Sequence, residues 1–258
     1  MNYSKKNKVR ESSLSQQIIE ICTSIRKMSR LTALIIVYFL LAIAEIIGTH
    51  IDYLPLIFAT KPLLMVTLFV WFYLQTKESG NNKFRKYLLL SIVFAFGGDS
   101  FLMFLPFDEI FFLLGLGSFL IGQLFYVFAF LNSIKESKND FNKPVGLTLL
   151  IIFLSYYAIL MYSLFPYLED FLIPVLVYGV AVCAMGVSSG WRLNKVSKKS
   201  FGLIFIGAML FVLSDTIIAV NQFLYKGNLL NAQVAIMITY VLAQYLIAKG
   251  SIKYLKEL

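Results

Sequence analysis

The chain has 258 residues, 59% of them hydrophobic and only 14% charged, where a soluble domain carries roughly 25% charged residues. That composition excludes a soluble globular domain, and six prolines and fifteen glycines exclude a disordered chain. The formal charge of +9 suggests nucleic acid only until the charges are placed; they fall as topology markers, so no nucleic-acid partner is expected.

Residues 1–30 are polar and basic, with Ile18, Ile21, Ile25 and Met28 at helical spacing. They are expected to form a cytoplasmic segment containing an amphipathic interfacial helix, the alternative being a disordered basic tail. No small-residue cleavage site follows the first apolar run, so a signal peptide is not expected. Eight apolar segments come next, at 31–49, 55–74, 86–105, 110–132, 145–164, 171–190, 201–223 and 231–249, each near the ~20 residues that span a bilayer. Residues 250–258 read as a short basic cytoplasmic tail. The fold class is therefore all-α: a polytopic membrane protein with eight transmembrane helices over residues 31–249.

Loop charge sets the orientation. Of the 23 basic residues, all but Lys61 and Lys226 fall in the two termini or the even-numbered connections, such as Lys77 to Lys86 and Arg192 to Lys199. The positive-inside rule puts that side, with both termini, in the cytoplasm. A weak parallel four-plus-four repeat is visible too. Gly98-Asp99-Ser100 answers Ser214-Asp215-Thr216, and each acidic helix precedes one with Gln and Tyr: Gln123 with Tyr126, and Tyr240 with Gln244.

Asp99 and Asp215 are the central anomaly. An ionisable group inside a membrane-length apolar segment is costly and marks a candidate functional site. Counting helical rise places Glu45, Asp99 and Asp215 roughly 20 Å from the inner face, with Lys61 at the same level. Three acids and one base thus share a layer in the outer half of the membrane and should face inward. Each also has a blander reading: a structural ion-pair network for the aspartates, outward snorkelling for Glu45, a salt-bridge partner for Lys61. Pro62 leaves open whether helix 2 starts there or kinks there. Ser214 and Asn221 share a face of helix 7, and Gln233, Tyr240 and Gln244 form a stripe on helix 8. With Gln123 and Tyr126 on helix 4, they suggest a polar cavity, although interhelical hydrogen bonding alone accounts for any one of them. The small-residue stripes Gly115, Ser118, Gly122 and Gly179, Cys183, Gly186, Gly190 read as close helix contacts. Cys22 and Cys183 lie too far apart for a disulfide framework or a CxxC site, and one histidine rules out a His-based metal cluster.

These motifs resemble the YhhN-like lysoplasmalogenase family of integral membrane enzymes. The resemblance rests on Lys61-Pro62-Leu63, Gly98-Asp99-Ser100-Phe101-Leu102, and Gln123 through Phe130. It continues through Gly207 to Asp215, Ile218 to Phe223, and Tyr240 to Gln244. Gln123 stands where relatives can carry His; Glu45 and residues 1–30 lie outside the resemblance. It implies hydrolysis of the vinyl ether bond of lysoplasmalogen lipids, giving a fatty aldehyde and glycerophosphocholine or glycerophosphoethanolamine. No metal or organic cofactor is expected. Asp99 and Asp215 would be the catalytic pair, the acid unassigned. Lys61, Glu45, Gln123, Tyr126, Ser214, Asn221, Tyr240 and Gln244 would surround the substrate. The expected location is a bacterial cytoplasmic (inner) membrane, and the sequence carries no sign of oligomeric state. The alternative is a small-molecule or proton-coupled transporter with paired intramembrane acids, towards which Pro62 and Pro174, as helix interruptions, point faintly.

Overall fold

The computed structural model describes residues 29–258. The interfacial helix expected in residues 1–30 lies outside the described residues, except that Ser29 and Arg30 already belong to the first membrane helix. The described residues form eight long α-helices and no strand: α1 (Ser29–His50), α2 (Leu54–Thr76), α3 (Lys83–Leu102), α4 (Ile110–Glu136), α5 (Lys143–Leu164), α6 (Leu172–Gly190), α7 (Lys198–Ala219) and α8 (Ala232–Leu255). A single π-helical turn, Val220–Leu224, continues α7.

Helix ends depart from the apolar segments for local reasons. The Asn82 side chain accepts from Arg85 N (3.2 Å) and starts α3 at Lys83 rather than 86. Asn142 does the same for α5 through Val145 N (3.2 Å), and Ser197 for α7 through Ser200 N (3.3 Å). Such caps satisfy amide groups that the helix itself leaves unpaired. Residues 250–255, expected in a tail, extend α8. Gly250 packs on Leu203 and Ile204, while Tyr254 and Leu255 are buried. Pro62 lies inside α2, so Lys61 is helical and not in a loop; Pro62 has no amide hydrogen to give to Phe58 O. Pro174, by contrast, occupies the first turn of α6 and interrupts nothing.

Seven of the eight helices are long and apolar enough to cross a membrane, which is consistent with an integral membrane protein. The exception, α3, carries Lys83, Arg85, Lys86 and Asp99. Ile36, Leu40, Ile43 and Ile47 of α1 are exposed at helical spacing, as are Leu147, Ile151 and Leu154 of α5. Apolar stripes of this kind suit hydrocarbon and not water.

The most extensive packing joins α3 to α4 and α7 to α8. Glycines permit both. Gly98 lies under the Phe119 ring and Gly115 against Leu102, and Gly207 lies against the backbone of Ala243 and Ile247. Neighbours correspond between the halves: α2–α3 with α6–α7, and α2–α8 with α6–α4.

At the end of the bundle where α6 finishes, one buried cation ties the helices together. Arg192, in the turn after α6, has no exposed surface. Its Nε donates to Ser133 Oγ (2.9 Å) and its Nη2 to Ser200 Oγ (3.1 Å), and Ser200 Oγ donates in turn to Gly250 O (2.9 Å). The rings of Phe84, Phe130 and Tyr254 enclose the guanidinium at 5.5–5.8 Å. Burial pushes its pKa down to about 9, which still leaves a cation at neutral pH.

Close approach at Gly207 yields a direct check. A Cβ there would meet Ile247 N and Ala243 O at 3.0 Å, whereas one at Gly202 meets nothing within 4 Å. Gly207→Ala should lower thermal stability in detergent by about 1–3 kcal/mol, and Gly202→Ala should leave it unchanged or raise it slightly. Equal melting temperatures for the two variants would contradict the α7–α8 packing.

Candidate active site

Asp99 is the seventeenth residue of α3 and Asp215 the eighteenth of α7. At 1.5 Å per residue, both lie about 25 Å from the first residues of their helices. Helix geometry alone brings them to one level, and the packing of α3 and α7 with α8 brings them to one chamber.

Asp99 is buried, and Tyr240 Oη donates to its Oδ2 at 2.8 Å. Behind Tyr240 a chain of hydrogen bonds crosses to α4: Gln244 Nε2 donates to Tyr240 Oη (3.2 Å), and Tyr126 Oη to Gln244 Oε1 (2.6 Å). These bonds fix the Tyr240 hydroxyl so that its proton points at the carboxylate.

Lys61 lines the same chamber, and its Nζ is 3.6 Å from Glu45 Oε1. That is too long for a hydrogen bond but within reach of an ion pair. Glu45 is fully buried, and its Oε2 accepts from Thr60 Oγ1 (2.5 Å). The Lys61 side chain is 19% exposed and that of Glu45 is fully buried, so Lys61 stands between Glu45 and the chamber.

Asp215 has different partners. Tyr178 Oη of α6 donates to Oδ2 at 2.8 Å, and Gln123 Nε2 of α4 approaches the same oxygen at 3.5 Å. Both contacts end on Oδ2, and neither brings a charge. Next along α7, Ser214 Oγ donates to Ile236 O (3.2 Å). Thr216 gives its proton to Val212 O (2.6 Å) and so receives that of Tyr156 (2.5 Å), clipping α7 to α5. Ser100, following Asp99, bonds its own helix at Phe96 O (2.7 Å). The Ser and Thr that follow the two aspartates therefore serve the scaffold, not the acids.

The π turn widens the end of α7, a distortion often found at functional sites. It brings Asn221 and Gln222 to the chamber, with Asn221 Oδ1 held by Leu229 N (3.0 Å). The chamber has a volume of about 100 Å³ and also includes Gln233 and Met237. Of the ten residues singled out from the sequence, six line it: Lys61, Asp99, Ser214, Asp215, Asn221 and Tyr240. Each of the other four stands behind one that does: Glu45 behind Lys61, Gln123 behind Asp215, and Gln244 then Tyr126 behind Tyr240. Tyr178 and Tyr156 escaped the sequence reading, while Gln222 and Thr216 entered it only as members of longer motifs. Tyr178 had a usable signal, since it is the seventh residue of α6 and Lys61 the eighth of α2, so helical rise puts both at one depth. Among the described residues no group of three His, Cys, Asp or Glu side chains comes together to hold a metal.

The model of the YhhN family matches residues 56–251, from the first turn of α2 nearly to the end of α8. The chain belongs to the YhhN family. No curated protein and no solved structure matched it. Every residue that lines the chamber falls within the YhhN match, while α1, and with it Glu45, precedes it. The YhhN region thus contains the chamber, and α1 supplies from outside it the carboxylate that pairs with Lys61.

That pairing is measurable. Lys61→Met leaves a buried carboxylate without its cation and should lower stability by about 3 kcal/mol. Adding Glu45→Gln should restore at least half of the loss in thermal unfolding. A double variant as unstable as the sum of the singles would show that the two groups are not coupled.

Proposed function

We propose that this protein is a lysoplasmalogenase, cleaving the vinyl ether bond of 1-alkenyl lysoglycerophospholipids to a fatty aldehyde and glycerophosphocholine or glycerophosphoethanolamine. The observation that carries the reading is the unequal surroundings of two carboxyl groups on one small chamber. Both share the chamber with Lys61, but the ammonium, on the helix packed against α3, acts electrostatically on Asp99 and not on Asp215. Asp215 meets only the neutral donors Tyr178 and Gln123. Membership of the YhhN family is consistent with a hydrolase of this kind.

Vinyl ether hydrolysis needs this asymmetry. A proton must be added to the alkenyl carbon that is β to the ether oxygen, which leaves an oxocarbenium ion at the neighbouring carbon. Water adds there, and the resulting hemiacetal breaks its bond to the glycerol oxygen. The products are an aldehyde and a free glycerol hydroxyl: the proton that water loses on adding passes through the carboxylate to the departing glycerol oxygen, and the hemiacetal hydroxyl gives up its proton to restore the acid. An acid and a nearby anion are both required, and a pair of carboxyl groups in different environments supplies them. A cation favours the ionised form of a carboxyl beside it, and an uncharged apolar site favours the protonated form. Asp99 is accordingly the carboxylate that faces the oxocarbenium ion and takes the proton from water. Asp215 is the acid, with Oδ2 engaged by Tyr178 and Oδ1 left to deliver the proton. Tyr240 orients Asp99, and Lys61 keeps it ionised. The amides of Asn221, Gln222 and Gln233 offer hydrogen bonds to glycerol and phosphate oxygens.

Location follows from the same reading. The protein then lies in a bacterial inner membrane with both termini in the cytoplasm and the chamber in the outer half, a reading that the loop charges support. The vinyl ether of a lysolipid lies at that depth, just below the head groups.

Asp99→Asn and Asp215→Asn should each lower aldehyde release from lysoplasmenyl-ethanolamine by about a thousandfold or more, with melting temperatures near that of the parent. Full activity in either variant would overturn the assignment. Flux of a solute into liposomes with no aldehyde formed would favour a carrier.

A further inference from the structure

Past Asp215 the chamber continues into apolar space. Two smaller cavities, each about 40 Å³, follow in series. The first shares Leu102, Phe112, Phe119, Asp215 and Ile218 with the chamber. The second lies beyond it between α5, α6 and α7 and shares Val175, Tyr178, Asp215 and Ala219 with the first. Asp215 is the one residue that lines all three among the described residues. The walls change character across it. Lys61, Asp99, Asn221, Gln222 and Gln233 lie on the chamber side. Beyond Asp215 the lining is Val175, Ala219, Leu160, Met161, Val182 and aromatic rings. Few direct contacts join α5 to α7, and the Tyr156–Thr216 hydrogen bond spans the space between them.

Resting on the lysoplasmalogenase reading, the geometry points to this apolar passage as the binding site for the first methylenes of the substrate's alkenyl chain. The chain leaves the chamber past Asp215 and runs between α5, α6 and α7. A vinyl ether lipid is polar on one side of its reactive bond and apolar on the other, and the passage has the same polarity with Asp215 at the change. The carbon to be protonated is the one on the chain side, which is the side Asp215 commands. Glycerol and phosphate then remain with Lys61 and the three amides. Val175 and Ala219, whose side chains form walls of both apolar cavities, are specificity-determining positions for the chain.

The test uses the full-length protein and a ratio, so that a general loss of activity does not decide it. Ala219→Phe fills the wall common to both cavities, and Leu160→Trp fills the far one. Each should lower kcat/KM for a hexadecenyl lysoplasmalogen about tenfold or more relative to a butenyl one, since each displaced methylene contributes to binding. An unchanged ratio in both variants would overturn the inference. A second readout is independent of hydrolysis. Cys183 lines the far cavity, and in a Cys22→Ser background it is the only thiol. Hexadecyl lysophosphoethanolamine, whose saturated ether cannot be cleaved, should slow its alkylation by N-ethylmaleimide at least about threefold, and glycerophosphoethanolamine should not. Protection without aldehyde release by the parent would keep the chain site and remove the proposed reaction. Aldehyde release with neither protection nor a change in ratio would keep the reaction and remove the chain site.

Discussion

A carboxyl group in the apolar interior of a helix bundle has no water to fall back on, so the protein must supply every partner it needs. Three such groups, Glu45, Asp99 and Asp215, determine how this bundle is put together. Glu45 draws Lys61 and Thr60 of α2 towards α1. Asp99 takes the Tyr240 hydroxyl of α8, and Tyr240 is held through Gln244 by Tyr126 of α4. Asp215 takes the Tyr178 hydroxyl of α6. Five of the other six helices thus contribute a polar side chain to the acids of α3 and α7 or to the groups behind them. Glycines let neighbouring helices approach closely, α3 meeting α4 at Gly98 and Gly115 and α7 meeting α8 at Gly207.

The two aspartates occupy corresponding places with unlike neighbours. In one half the helix before the acid presents Lys61, and in the other it presents Tyr178 at nearly the same turn. The last helix of the opposite half gives Tyr240 to Asp99 and Gln123 to Asp215. Each acid is therefore flanked by the same two kinds of element, but a cation accompanies only one. On the proposed reading this difference makes a chemical pair of them: one site held negative, the other free to carry a proton, both on a chamber of about 100 Å³. The polarity of the space around them has the same asymmetry, since Asp215 alone borders the apolar cavities as well.

Charge was the legible part of the sequence. Asp99, Asp215 and Lys61 stand out because nothing else in a long apolar helix is ionisable, and a count of helical rise was enough to bring them to one level. Tyr178 was hidden for the opposite reason: it is one of fifteen tyrosines, and an apolar helix tolerates a tyrosine without comment. Arg192 was misleading in another way. As one of a run of basic residues after α6 it counted towards orientation, but the fold buries it fully, within a cage of rings that only tertiary packing assembles. Helix ends were misjudged where an Asn or Ser cap, not hydropathy, starts the helix. At α8, packing of Gly250 and Tyr254 carries the helix past Lys249 and Lys253, whose charges had marked its end. The eight-helix architecture survived these errors because it depends on segment length and polarity, which local capping does not alter.

The central claim is protonation at carbon within the chamber, and isotope placement reports on it directly. Hydrolysis of lysoplasmenyl-ethanolamine by the purified protein in deuterium oxide, with the aldehyde trapped as it forms, should put one deuterium on the carbon next to the carbonyl. An aldehyde lacking that deuterium, or no aldehyde at all, would contradict the account.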